Sequence, residues 1–229
     1  MSFTITQSDA GGLHFLQLTD RASGTYVKIL TEHGALLQEF SIPLNSGRLK
    51  VISGYQDLAD LLKHHSLFYR SAKLSPFPCR IKDGRYLFEG KTYEFKNKFT
   101  DGSAIHGLLF NSPFVLTAHH ADELSSFVVL EHQYRHADPG YPFDYQISVK
   151  YTLKKGGLLI LETSLANRSS GAIPIADGWH PYFSLGGKVN DWLLTVNAHE
   201  ILAFDEHLLP NGKKIRFDSF SHPARIGST

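Results

Sequence analysis

An all-β sandwich of antiparallel sheets is the fold this chain predicts, on three observations. Most segments alternate apolar and polar residues with period two and are rich in Val, Ile, Thr, Tyr and Phe. Gly, Asn, Asp or Pro separates almost every pair of such runs. Helical periodicity is nearly absent, which excludes alternating β-α units. In chain order, strands are expected over residues 13–18, 25–31, 35–42, 48–53, 85–88 and 92–95. They continue over 114–120, 126–135, 145–153, 158–167, 192–196 and 213–217. Lys155-Gly156-Gly157 joins two of these runs as a hairpin, because paired glycines supply the positive φ of a tight turn. Residues 57–63 form the one helical piece, with Asp57 as its cap and Leu58, Leu61 and Leu62 as its apolar stripe.

A chain of 229 residues, 42% of them hydrophobic, is long enough to bury a core, and no linker, repeat or low-complexity stretch divides it, so one domain over 1–229 is expected. The formal charge of +1 comes from scattered Lys and Arg, which argues against nucleic acid and other polyanionic partners. Residues 1–10 lack a basic region followed by an apolar run, and no stretch of about 18 apolar residues occurs. With Cys79 the single cysteine, a disulfide framework is excluded and a reducing compartment fits; we expect a soluble, cytoplasmic protein without membrane association.

Asp177-Gly178-Trp179-His180-Pro181-Tyr182-Phe183 is the most informative stretch. Pro181 biases His180 toward an extended backbone, which puts its imidazole at a strand end or turn beside rings suited to a sugar face. Histidine exchanges protons near neutrality. Arg80 follows the stiff Pro76-Phe77-Pro78-Cys79 approach, and its fork can bind neighbouring hydroxyls, although a structural ion pair is an equal reading. His106 precedes Gly107, which lets backbone or ligand come close, although taken alone a satisfied structural histidine is the favoured reading. Pro139-Gly140-Tyr141-Pro142 is a rigid turn presenting an aromatic, and plain turn chemistry is an equal reading. None of the 13 histidines joins a carboxylate or thiol at a compact metal spacing, and no phosphate-binding loop or serine elbow is present.

The ordered series Gly34-Ala35-Leu36-Leu37, Pro76-Phe77-Pro78-Cys79-Arg80-Ile81, Gly90-Lys91-Thr92-Tyr93, Ile105-His106-Gly107, Pro139-Gly140-Tyr141-Pro142 and His180-Pro181-Tyr182-Phe183 resembles the aldose 1-epimerases, or galactose mutarotases. The resemblance runs through essentially the whole chain, including residues 204–212. It implies an antiparallel β-supersandwich, incomplete at the C-terminal end, and interconversion of the α and β anomers of a free hexose with no metal or organic cofactor. It assigns His180 as the general acid at the ring oxygen, His106 as its neighbour in catalysis or sugar binding, and Arg80, Tyr182, Cys79 and Tyr141 to substrate binding. Cys79 stands where that family usually has asparagine. The family's base, a glutamate, and a substrate-binding aspartate belong to strands further downstream than Thr229, so an incomplete domain of doubtful activity on its own is expected. The alternatives are a hexose-6-phosphate 1-epimerase and a carbohydrate-binding domain without turnover. The partner in every case is a small sugar; the oligomeric state is left open.

Overall fold

The computed structural model describes residues 1–228. Strands β1 (Phe3–Ala10), β2 (Leu13–Asp20), β3 (Thr25–Leu30), β4 (Leu36–Leu44) and β5 (Gly47–Ser53) form an antiparallel meander in that order. The first of these is absent from the sequence expectation. Its residues are mostly exposed, so the pattern has no buried set to read, and only pairing with β2 from Phe3↔Asp20 to Ala10↔Leu13 makes it a strand.

After β5 comes α1 (Leu58–Phe68), capped by Asp57, whose side chain accepts from the Asp60 amide. The helix is a turn longer than expected; Leu58 and Leu61 face inward as expected, but the third inward position is His65, and Leu62 is 65% exposed. Tyr69 ends it in the left-handed region (φ 51°). Short strands follow: β6 (Lys73–Leu74), β7 (Arg80–Ile81), β8 (Arg85–Phe88), β9 (Lys91–Glu94) and β10 (Ala104–Ile105). The second meander is β11 (Val115–Ala121), β12 (Ser125–Arg135), β13 (Asp144–Lys154) and β14 (Leu158–Asn167). The hairpin glycines stand where expected, with Lys154 paired to Leu158 and both Gly156 and Gly157 at positive φ.

Alternation along β12 and β13 turns Val128, Leu130, Tyr145, Ile147, Val149 and Tyr151 inward, against Leu16, Leu18, Val27, Ile29 and Leu37 of the first meander. These two inner faces make the main core, as in a sandwich. Tyr151 ties them with a polar bond as well, its hydroxyl donating to the Ala35 carbonyl at 2.6 Å.

Beyond the core lie β15 (Gly178–Trp179), β16 (Leu193–Leu194), β17 (Glu200–Phe204), β18 (Pro210–Arg216) and β19 (Ala224–Arg225). The strand expected over 192–196 shrinks to two residues, because Val189–Asp191 is a 3₁₀ turn and Val196 bonds instead to the Phe220 carbonyl. The β17–β18 hairpin carries Ile201, Leu202, Phe204 and Ile215 largely exposed. Among the described residues no helix is long and apolar enough to cross a membrane.

Candidate active site

Residues 71–75 run as a rail between two segments that carry histidines. On one flank, β15 pairs with β6 through Gly178↔Leu74 and Trp179↔Lys73. The ladder extends as the His180 amide donates to the Ala72 carbonyl and the Ser71 amide donates to the His180 carbonyl. The Trp179 indole also donates to the Ser71 carbonyl, at 3.0 Å. On the other flank, Ser75 bridges Gly107, and its carbonyl accepts from the Leu108 amide at 2.8 Å. The approach is so close that a Cβ on Gly107 would lie 2.3 Å from the Ser75 oxygen.

This rail puts the two imidazoles edge to face, with ring centroids 5.1 Å apart. Tyr69 packs edge to face on His106 at 4.7 Å, and Tyr182 stacks on His180 at 5.5 Å while its hydroxyl donates to the Phe68 carbonyl. His106 itself has φ 60°, and its amide donates to the Cys79 carbonyl. Both Nδ1 atoms are buried and make no hydrogen bond among the described residues. Buried ring nitrogens without partners are rare in folded proteins, and they mark where a ligand or water completes the bonding.

Pairing of β7 with β10 sets Arg80 opposite Ile105, one residue from His106. One arm of its guanidinium, Nη1, donates to Asp101 at 2.9 Å and to Ser103 at 3.3 Å, and the group lies over the Phe99 ring. Nε and Nη2 make no hydrogen bond among the described residues. Arg80 is thus both ion-paired and able to bind more. Cys79 is exposed, in a left-handed backbone (φ 58°), and its carbonyl accepts from the His106 amide.

Tyr141 is the exception. Expected as a substrate-binding aromatic, it is 1% exposed in the main core, and its hydroxyl donates to the Pro174 carbonyl. The turn presents the ring inward because Gly140 seats against the Phe95 backbone, where a Cβ would lie 2.4 Å from the amide nitrogen. With its ring packed and its one donor engaged, Tyr141 lies in the core, not on an exposed face as the turn reading expected.

Asp177, close to His180 in the chain, is also engaged: the Lys73 ammonium, almost wholly buried, donates to its carboxylate and to the Gly178 carbonyl. Burial pulls the Lys73 pKa below its ordinary value, against the pull of the Asp177 hydrogen bond and charge. Tyr69, Lys73 and Asp101 escaped the sequence reading, since each acts through a partner far along the chain. Among the described residues no group of three or more His, Cys, Asp or Glu is gathered to hold a metal ion.

Burial, then the neighbouring His180 and Arg80 charges, lower the His106 pKa to about 4. Burial likewise lowers that of His65, whose Nδ1 meets the Tyr55 hydroxyl and whose Nε2 meets the Phe110 carbonyl. An unfolded histidine titrates near about 6.5. As pH falls through that value the unfolded chain takes up protons that the folded chain refuses, so stability is full above about 6.5 and falls toward pH 4. His14, raised by its exposed partner Asp9, acts in the opposite sense, but in open solvent its effect is small. The melting temperature is expected to fall between pH 7 and pH 5 and to fall less in His106→Gln. An equal fall in both proteins would show that His106 does not carry the dependence.

The chain belongs to the aldose 1-epimerase family, whose family model matches residues 16–229. Among its relatives are the maltose epimerase of Levilactobacillus brevis, 28% identical across 92% of this chain and 63% of that protein, and the human galactose mutarotase, 27% identical across 79% and 52%. The Escherichia coli K12 protein YihR is 31% identical over 60% of this chain and 44% of its own length. The solved galactose 1-epimerase from Lactobacillus acidophilus shares the fold, with a TM-score of 0.78 at 21% identity over 99% of this chain and 67% of that one. The chain therefore spans about half to two thirds of the length of the relatives it matches.

Proposed function

We propose that this chain supplies the acid side of an aldose 1-epimerase, which interconverts the α and β anomers of a free hexose. The observation that carries the reading is the His106–His180 pair, in contact at 5.1 Å with both Nδ1 atoms unpartnered. Opening a hemiacetal requires a base to take the proton of the anomeric hydroxyl while an acid protonates the ring oxygen, as the bond from the anomeric carbon to that oxygen breaks. The carbonyl then rotates, and closure returns both protons. In this reading His180 protonates the ring oxygen. His106, kept neutral by its pKa of about 4, binds the sugar through hydrogen bonds without competing for the proton. The free arm of Arg80 holds sugar hydroxyls, and Tyr182 braces the His180 ring.

The base is assigned to no residue of this chain. Asp177 is held by Lys73 and Asp101 by Arg80, and each carboxylate is a poor proton acceptor while so paired. The proposal extends to the cytoplasm as the site of action, because the lone, exposed Cys79 suits a reducing compartment.

Polarimetry of freshly dissolved α-glucose or α-galactose with the natural polypeptide tests the reading. Faster anomer exchange than in buffer alone is expected. Sugar binding without faster exchange would replace the reading by that of a binding domain, and exchange confined to glucose 6-phosphate would replace it by the phosphate-sugar activity.

A further inference from the structure

We infer that the Lys73–Asp177 ion pair is a positioning pair that fixes His180 against His106, which rests on the epimerase reading of the histidines. The rail of residues 71–75 is shared by both histidine segments. Its flank toward His106 is locked by backbone alone, through the Ser75–Gly107 bridge and the Leu108 amide. The His180 flank pairs through Gly178↔Leu74 and Trp179↔Lys73 and continues in the His180 amide on the Ala72 carbonyl and the Ser71 amide on the His180 carbonyl, still a short ladder whose register a side-chain tether can reinforce. Lys73 supplies that tether. Sitting opposite Trp179, it reaches back along β15 to the Asp177 carboxylate and the Gly178 carbonyl, so one side chain holds the strand at two points before His180 begins. The ammonium side chain is 7% exposed and the carboxylate 25%, and the ammonium's hydrogen bonds go to that carboxylate and to the Gly178 carbonyl.

A pair retained under such desolvation is weak evidence for stability, because apolar replacement of both partners is often neutral or better. What that replacement cannot supply is the directed tether to Asp177 and Gly178. The two roles therefore separate in one variant. Lys73→Met alone strands the Asp177 charge and is expected to melt lower. Lys73→Met with Asp177→Leu is expected to recover the wild-type melting temperature, yet to keep kcat for anomer exchange about 10-fold low with KM within about 2-fold, as misorientation of a catalytic group produces. A pair that merely stabilised the fold would recover rate together with melting temperature.

The imidazole contact is read independently of turnover, as the ring-proton NOE between His106 and His180 in the histidine-labelled chain, assigned with His180→Asn. It is expected in the wild type and weakened in the double variant. An unchanged NOE in the double variant, with kcat unchanged wherever turnover is present, overturns the inference. If the wild type shows the contact but no anomer exchange, the epimerase reading fails alone, and the NOE in the double variant still decides the positioning role. Should the double variant not fold, Asp177→Asn takes its place: isosteric and able to keep one hydrogen bond, it is expected to lower kcat about 5-fold and weaken the NOE. No change in either would refute the role.

Discussion

His180→Asn in the natural polypeptide should lower the rate of anomer exchange by roughly 10²-fold or more while leaving the fold intact, since a positioned general acid is typically worth that much. Asparagine can donate a hydrogen bond to the ring oxygen but cannot transfer a proton, so sugar affinity should change less than turnover. The backbone bonds that seat residue 180, its amide to Ala72 and its carbonyl to Ser71, do not depend on the side chain. A melting temperature near that of the wild type is therefore expected, and it separates lost chemistry from lost structure. Polarimetry or NMR of the anomeric protons at saturating sugar measures the effect. A folded variant with near-normal turnover would move the acid role to His106, the other imidazole of the pair.

Gly107→Ala should damage both fold and site. At φ +80° an alanine side chain is strained by about 1–2 kcal/mol. The larger effect is steric: the new Cβ would meet the Ser75 oxygen at 2.3 Å, its carbonyl carbon at 2.6 Å and its nitrogen at 2.8 Å, all backbone atoms that cannot swing aside. The rail and the His106 segment must separate, and the loss is expected to reach about 3 kcal/mol or more, a large share of the roughly 5–15 kcal/mol that keeps a domain folded. Gly90→Ala is the control, since Gly90 has a similar φ of +76° but nothing within 4 Å of its added Cβ. Thermal or urea unfolding should rank wild type above Gly90→Ala and both well above Gly107→Ala. Equal losses at the two glycines would mean that the Ser75 approach is looser than 2.3 Å implies.

The two central strands of the second meander, β12 and β13, were legible because each alternates buried with partly exposed residues along most of its length, and the β13–β14 hairpin because Gly156 and Gly157 are needed for positive φ. β1 was not legible, since its pairing with β2 rather than its own burial makes it a strand. The helix was seen but its face misread: Leu62 has the right residue type, yet burial went to His65, whose ring finds both Tyr55 and Phe110. Periodicity reports apolar residues, and a histidine satisfied by two distant partners has no periodic signature.

The site divides in the same way. The sequence by itself determined the fold class and singled out the two histidines and the arginine as candidates, because Ile105-His106-Gly107, Cys79-Arg80 and His180-Pro181 each carry local backbone constraints and a family resemblance. Tertiary structure alone decided that His106 and His180 touch, that Arg80 gives one arm to Asp101, that Asp177 is bound to Lys73, and that Tyr141 faces the core. Each of these depends on residues brought together from far along the chain: Lys73 and Asp177 are 104 positions apart. The physical reason is that chain-local rules fix dihedral angles and which face is apolar, whereas ion pairing, ring contacts and pKa shifts arise between elements whose distance is set only when the sheets pack.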